Sequence, residues 1–271
     1  MTLPRIGVFD SGVGGLTVLR AMANQLPAHY LYFGDTARLP YGTKSAETVA
    51  RYSIGASRYL ETQSIDLLVI ACNSATALAL PEIQKAARVQ VIGVVEPGAS
   101  MASHVSRSRS AIVIATEATV SSHAYRAALQ RHDMEVYEKA CPLFVPLVEE
   151  GWVDHPVTEQ VARIYLQDAL TGAPHADVLV LGCTHYPLIA PLLQRITPSN
   201  VQIVDSAEST ARAVKEALVT GRMTELEAGT SVSDHRTFRF FVTDSVDKFK
   251  RLAIKFLGRQ VDHVEHVDLG G

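Results

Sequence analysis

The chain alternates short, continuous apolar runs with longer segments of helical spacing. The clearest run spans residues 67–71, Leu-Leu-Val-Ile-Ala, framed by Asp66 and Cys72. It is too short to cross a membrane and suits a strand buried on both faces, as in a parallel sheet. Asn73 and Ser74 follow as good helix N-cap residues, ahead of an Ala- and Leu-rich segment that Pro81 should break. A thiol then stands at the carboxyl end of a strand, facing the positive end of a helix. Residues 177–187 repeat the grammar: Asp177, four apolar residues, Gly182, Cys183, then Thr184 as the cap, with Pro187 where a first-turn proline is tolerated.

The same pattern predicts strands at 6–9, 29–33, 91–95, 111–115, 134–137 and 238–243, the third of these closed by Glu96-Pro97-Gly98. Helices are predicted at 16–26, 45–63, 121–131, 158–170, 209–220 and 246–257, and 141–151 reads as a loop or short helix. The opening strands at Arg5 and Ser110 are offset by nearly the same distance as Cys72 and Cys183. Two similar units account for this register. The expected fold is α/β, with two parallel-sheet, flavodoxin-like domains in a pseudo-twofold relation. The last part has no cysteine and should complete the first unit, giving domains of 1–97 plus 208–271 and of 98–207.

Composition changes this picture little. At 271 residues, with 47% hydrophobic content, the chain can bury a large core. A net charge of −3 gives no support for a nucleic-acid surface, and no apolar run reaches membrane-spanning length. The start of the chain lacks a signal-type apolar core, and three cysteines imply no disulfide framework. A cytoplasmic protein with reduced thiols is expected.

The candidate chemistry gathers at strand ends. Asp10-Ser-Gly-Val-Gly-Gly15 invites a dinucleotide reading, with Asp35 as the ribose ligand, but the third glycine of the fingerprint would fall at Thr17. A tight loop that presents Asp10 and Ser11 to a small polar ligand fits better. The closing stretch 262–268 alternates charge with valine and reads as a polar terminal strand or tail rather than a metal cluster. Paired C-x-x-C spacing for structural zinc is absent, and no lysine occupies a matching strand end for a pyridoxal Schiff base. Two thiols on opposite faces of one substrate suit proton removal from carbon on one side and proton delivery on the other. Each helix N-terminus should lower its thiol's pKa toward working pH.

These residues carry a resemblance. Residues 10–19, Pro40-Tyr-Gly42, Ala71-Cys-Asn-Ser74, Gly93-Val-Val-Glu-Pro97, Gly182-Cys-Thr-His-Tyr-Pro187 and Val204-Asp-Ser206 are similar, in order, to the glutamate racemases of the cofactor-independent aspartate/glutamate racemase group. The resemblance implies a site between two α/β domains, interconversion of L- and D-glutamate for peptidoglycan, no cofactor, and a homodimer. It implies Cys72 and Cys183 as the acid/base pair, Asp10 near the first, and His185 and Glu149 near the second, with Glu150 adjacent. Asp10, Ser11, Tyr41, Gly42, Asn73, Ser74, Thr119, Thr184 and His185 match substrate-contacting positions. Ser74 stands where threonine is usual, keeping the hydroxyl, and Ala115 replaces a common glycine. Precursor-activated members carry an N-terminal extension, so that regulation is not expected. The competing readings are a racemase for aspartate or a hydantoin, and a gyrase-binding partner without catalysis.

Overall fold

The computed structural model describes residues 3–221 and 236–270; the remainder, including 222–235 of the expected third unit, lies outside the described residues. Strands β1 (Arg5–Asp10), β2 (His29–Gly34), β3 (Leu67–Ile70) and β4 (Gln90–Gly93) open a first parallel sheet. Strands β5 (Ser110–Ala115), β6 (Glu135–Ala140), β7 (Val178–Gly182) and β8 (Gln202–Asp205) form a second. β9 (Thr237–Val242) and β10 (Glu265–His266) return to the first, so the polar stretch 262–268 supplies an edge strand. The sheet orders are β10-β9-β2-β1-β3-β4 and β6-β5-β7-β8. The same 2-1-3-4 order therefore occurs twice. In such sheets, ligands bind beyond the carboxyl ends at the point where strand order reverses. That point lies between β1 and β3 in one unit and between β5 and β7 in the other.

The helices follow in chain order as α1 (Leu16–Gln25), α2 (Ala46–Thr62), α3 (Asn73–Ala86), α4 (Val95–Val105), α5 (Glu117–Ser121) and α6 (Ala124–Gln130). Then come α7 (Phe144–Glu149), α8 (Pro156–Gly172), α9 (Ala190–Ile196), α10 (Ser206–Gly221) and α11 (Val246–Leu257). Alternation along the strands sorts the core. Val8, Tyr32 and Val69 of the first sheet share one cluster with Ile112, Leu179 and Leu181 of the second, and with Leu252 and Phe256 of α11. Phe9, Leu68 and Ile70 face the other way, and Val113 and Val180 do the same in the second sheet. Each such side chain contributes roughly 1.5–3 kcal/mol on full burial, so the shared cluster is what joins the units.

Three local expectations need correction. Pro81 does not break α3, which runs through to Ala86. The proline is exposed and Ala77, whose carbonyl loses its donor, is half-exposed, so water can satisfy that group. β4 stops at Gly93, and Glu96-Pro97-Gly98 lies inside α4, where a first-turn proline loses no hydrogen bond. The helix expected over 121–131 begins only at Ala124, as α6; a separate α5 ends at Ser121, and the two are divided at His123, which is left-handed with φ 54°.

Candidate active site

Parallel register sets the site. Phe9 pairs with Ile70 and Ala115 with Gly182, so Asp10 and Cys72 leave one sheet edge together while Thr116 and Cys183 leave the other. The two edges enclose a cavity of about 330 Å³, a size suited to a small molecule. Cys72 and Cys183 both line it. The third cysteine, Cys141, is buried elsewhere, with its thiol donating to the Lys139 carbonyl, and burial pushes its pKa up.

Gly14 explains the glycine loop. A Cβ there would sit 2.6 Å from His185 Nδ1 and clash with the Thr184 hydroxyl as well. Thr17 donates to the Thr184 carbonyl at 3.1 Å. The loop is bare so that the second strand end can close upon it, and α1 begins where the units touch. Asp35, the ribose candidate, is instead used internally: it accepts hydrogen bonds from Tyr41 (2.5 Å) and Thr243 (2.9 Å). Those bonds fix the loop whose Gly42 lies against Thr116.

On the first side Cys72 itself is the N-cap of α3; Asn73 and Ser74 are already helical. The sulfur accepts from the Ala75 amide (3.4 Å) and donates to Ser11 Oγ (3.5 Å). Asp10 lies in the layer beneath the cavity, with Oδ2 accepting from the Gly12 amide at 2.8 Å and Oδ1 buried without a partner among the described residues. Burial raises the Asp10 pKa, opposed by the Gly12 amide and the charge of His185. The Asn73 carbonyl accepts from Tyr125 at 2.7 Å, which leaves its buried Nδ2 unpartnered among the described residues. Ser74, Thr116 and Thr119 form a hydroxyl triangle of 3.0, 3.4 and 2.9 Å that bridges the units. Thr119, like Asp10, sits behind the lining, while Ser11, Tyr41, Gly42, Asn73 and Ser74 face the cavity.

On the second side Cys183 precedes only a 3₁₀ turn, Tyr186–Ile189, with Pro187 in its first turn as expected. Thr184 and His185 line the cavity beside it, as does Glu149 at the end of α7. His185 Nε2 lies 3.3 Å from Glu149 Oε1, and Glu149 Oε2 accepts from Lys248 Nζ at 2.9 Å. Glu149, not Glu150, thus meets His185. The His185 hydrogen bond, with help from Lys248, holds the Glu149 pKa down to about 2 against its partial burial.

The expectation of lowered thiol pKa values is overturned. Burial pushes Cys72 up to about 11, with the Asp10 charge adding to it; Ser11 and the Ala75 amide oppose only in part. Burial raises Cys183 further, against the His185 amide, and a charge on Cys72 or Asp10 would raise it more. A helix N-terminus is worth about 0.3–1 kcal/mol, less than one pKa unit, whereas full burial shifts a group by several.

Lys248 and Thr116 escaped the sequence reading. Lys248 had no local signal, since its partner is distant along the chain, but Thr116 was readable as the N-cap of α5 at a strand end.

Comparison with known proteins agrees with this architecture. Residues 6–214 match the family described as Asp/Glu/hydantoin racemase. A glutamate racemase of Koribacter versatilis is 60% identical over 286 residues, covering 99% of this chain and 98% of that protein. A crystal structure of the Francisella tularensis glutamate racemase in complex with D-glutamate is similar at TM-score 0.88 and 34% identity, covering 99% of both chains. The Thermus thermophilus glutamate racemase, in complex with beta-chloro-D-alanine, gives TM-score 0.85 and 42% identity over 98% of this chain and 97% of that one. In sequence and in fold, the chain belongs to the Asp/Glu/hydantoin racemase family of isomerases.

Proposed function

We propose that the protein is a glutamate racemase that inverts Cα by a two-cysteine proton transfer, without a cofactor. The observation that carries this reading is the placement of Cys72 and Cys183 on one cavity from two separate sheets. One sulfur, as thiolate, takes the Cα proton; the electron pair stays on the substrate as a carboxylate-stabilised carbanion. The other thiol delivers its proton to the opposite face. The C–H bond broken on one side is replaced by one on the other, and the two sulfurs exchange protonation states.

Like charge keeps the pair unequal. Ionisation of Cys183 is opposed by a charge on Cys72, so when one sulfur is a thiolate the other stays a thiol. Burial opposes ionisation of both sulfurs, and the substrate's ammonium would offset that on binding. Asp10 and the His185–Glu149 pair provide polar neighbours, one to each sulfur. Asn73 Nδ2, unpartnered among the described residues, and the hydroxyls of Ser74 and Thr184 are suited to the substrate carboxylates.

On this reading residues 1–97 with 208–271 act as one domain and 98–207 as the other, with the reaction between them. D-Glutamate would serve peptidoglycan synthesis in the cytoplasm. A homodimer would cover the exposed apolar groove of Leu143, Trp152 and Val157, which lies beside α7. The test is circular dichroism of an L-glutamate solution with purified protein and no added cofactor. The signal should decay to zero; a constant signal would overturn the proposal.

A further inference from the structure

Building on the two-thiol reading, we infer that Lys248 is a positioning residue for the Cys183 half, holding the Glu149 carboxylate against His185 from the opposite unit. Lys248 stands on α11, which follows β9 of the first sheet, whereas Glu149 and His185 belong to the second unit. The chain Lys248 Nζ, Glu149 Oε2 and Oε1, His185 Nε2 is joined by contacts of 2.9 and 3.3 Å. It runs inward from solvent: the side chains are 47%, 19% and 11% exposed in that order. It ends next to Cys183.

Lys248 is not an isolated surface charge on a loose helix. α11 buries Phe249, Leu252, Ala253, Phe256 and Leu257. Residues 248, 255 and 256 lie within one broad stripe of the helix and reach Glu149, Gly151 and His185 of the second unit. The Phe256 ring stands edge-on to the His185 ring at 5.0 Å, and Lys255 covers Gly151, whose φ of +85° ends the α7 corner. One helix therefore fixes both the ring of His185 and the carboxylate that orients it. Since α11 carries no lining residue of the cavity, its effect on the reaction is indirect.

The charged groups around Glu149 are few. His185 faces it from the turn after β7, Lys248 from α11, and Lys255 over Gly151; Glu150 is its neighbour, and Asp10 faces His185 from β1. Removing Lys248 leaves His185 as the one cation-capable partner in hydrogen-bond reach of Glu149 among the described residues. The carboxylate pKa then rises, and its grip on His185 loosens.

The test compares Lys248→Met and Lys248→Arg with Arg251→Met, which removes an exposed charge from the same helix. Lys248→Met should lower kcat about tenfold, the scale of one charge-assisted hydrogen bond discounted for exposure. It should shift the acid limb of kcat/KM to higher pH and move the His185 Nε2 nitrogen resonance. The primary Cα-deuterium effect should grow for one enantiomer alone, the one deprotonated by Cys183. Lys248→Arg should restore all four readouts, and Arg251→Met should change none. Wild-type rate, pH profile and resonance in Lys248→Met, with Cys183→Ser inactive, would overturn this inference alone. An equal fall in Lys248→Met and Arg251→Met would also overturn it, as a mere effect of helix charge. Full activity in Cys183→Ser would overturn the two-thiol reading together with it.

Discussion

The two cysteine sites have the same strand-end plan and different surroundings. Cys72 caps a 14-residue helix and is backed by a carboxylate, Asp10, that has one oxygen buried and unpartnered among the described residues. Cys183 precedes a 4-residue 3₁₀ turn and is flanked by a relay of imidazole, carboxylate and ammonium. The carboxylates differ in sign as well. Burial raises the Asp10 pKa, while hydrogen bonds lower that of Glu149. The two halves bring their thiols to one cavity and differ in the neighbours, a desolvated carboxylate in one and a paired carboxylate in the other. On the two-thiol reading, a site acting on both faces of one carbon needs symmetry only at the sulfurs.

The largest expected effect would erase the difference between the halves. If each thiol serves one face, Cys72→Ser and Cys183→Ser should each lose at least ~100-fold in racemisation rate; polarimetry on both variants checks this, and one active variant would make the halves unequal in kind. Next, Gly14→Ala forces a methyl into His185 and Thr184 where the units meet. It should cost about 1–3 kcal/mol in stability and at least tenfold in kcat, measured by urea unfolding and steady-state rates.

The carboxylates provide a finer comparison. Asp10→Asn should raise the melting temperature at pH 7 while lowering activity. A raised folded-state pKa means stability is fully present below the unfolded value and is lost as pH rises through the folded one. Glu149→Gln should lower both. Its depressed pKa contributes stability above the unfolded value of 4.5, which is lost as pH falls through about 2. Thermal melts from pH 2 to 8 separate the two, and equal shifts would remove the asymmetry. Ser74→Ala should have the smallest effect, weakening substrate binding about fivefold through loss of one bridging hydroxyl.

Much of this was legible because its signals are local. A short apolar run ending in a cysteine marks a buried strand and its edge, and two copies mark two sheets. Pro81 was misjudged because its cost depends on whether Ala77 can reach water. The thiol pKa values were misjudged because an N-terminal helix effect is visible in sequence while burial is not. Glu149 and Glu150 could not be separated, since adjacent helical residues point about 100° apart and only the cavity's position chooses between them. Lys248 was invisible for a similar reason: its meaning lies in another unit.

The most direct test follows the Cα hydrogen. L-Glutamate racemised in D₂O to a few per cent conversion should give D-glutamate fully deuterated at Cα, because the arriving proton comes from a thiol that has exchanged with solvent. Unreacted L-glutamate should remain largely protiated. Early D-glutamate that retains the original Cα hydrogen would mean that one group serves both faces, and would contradict the account of two facing thiols.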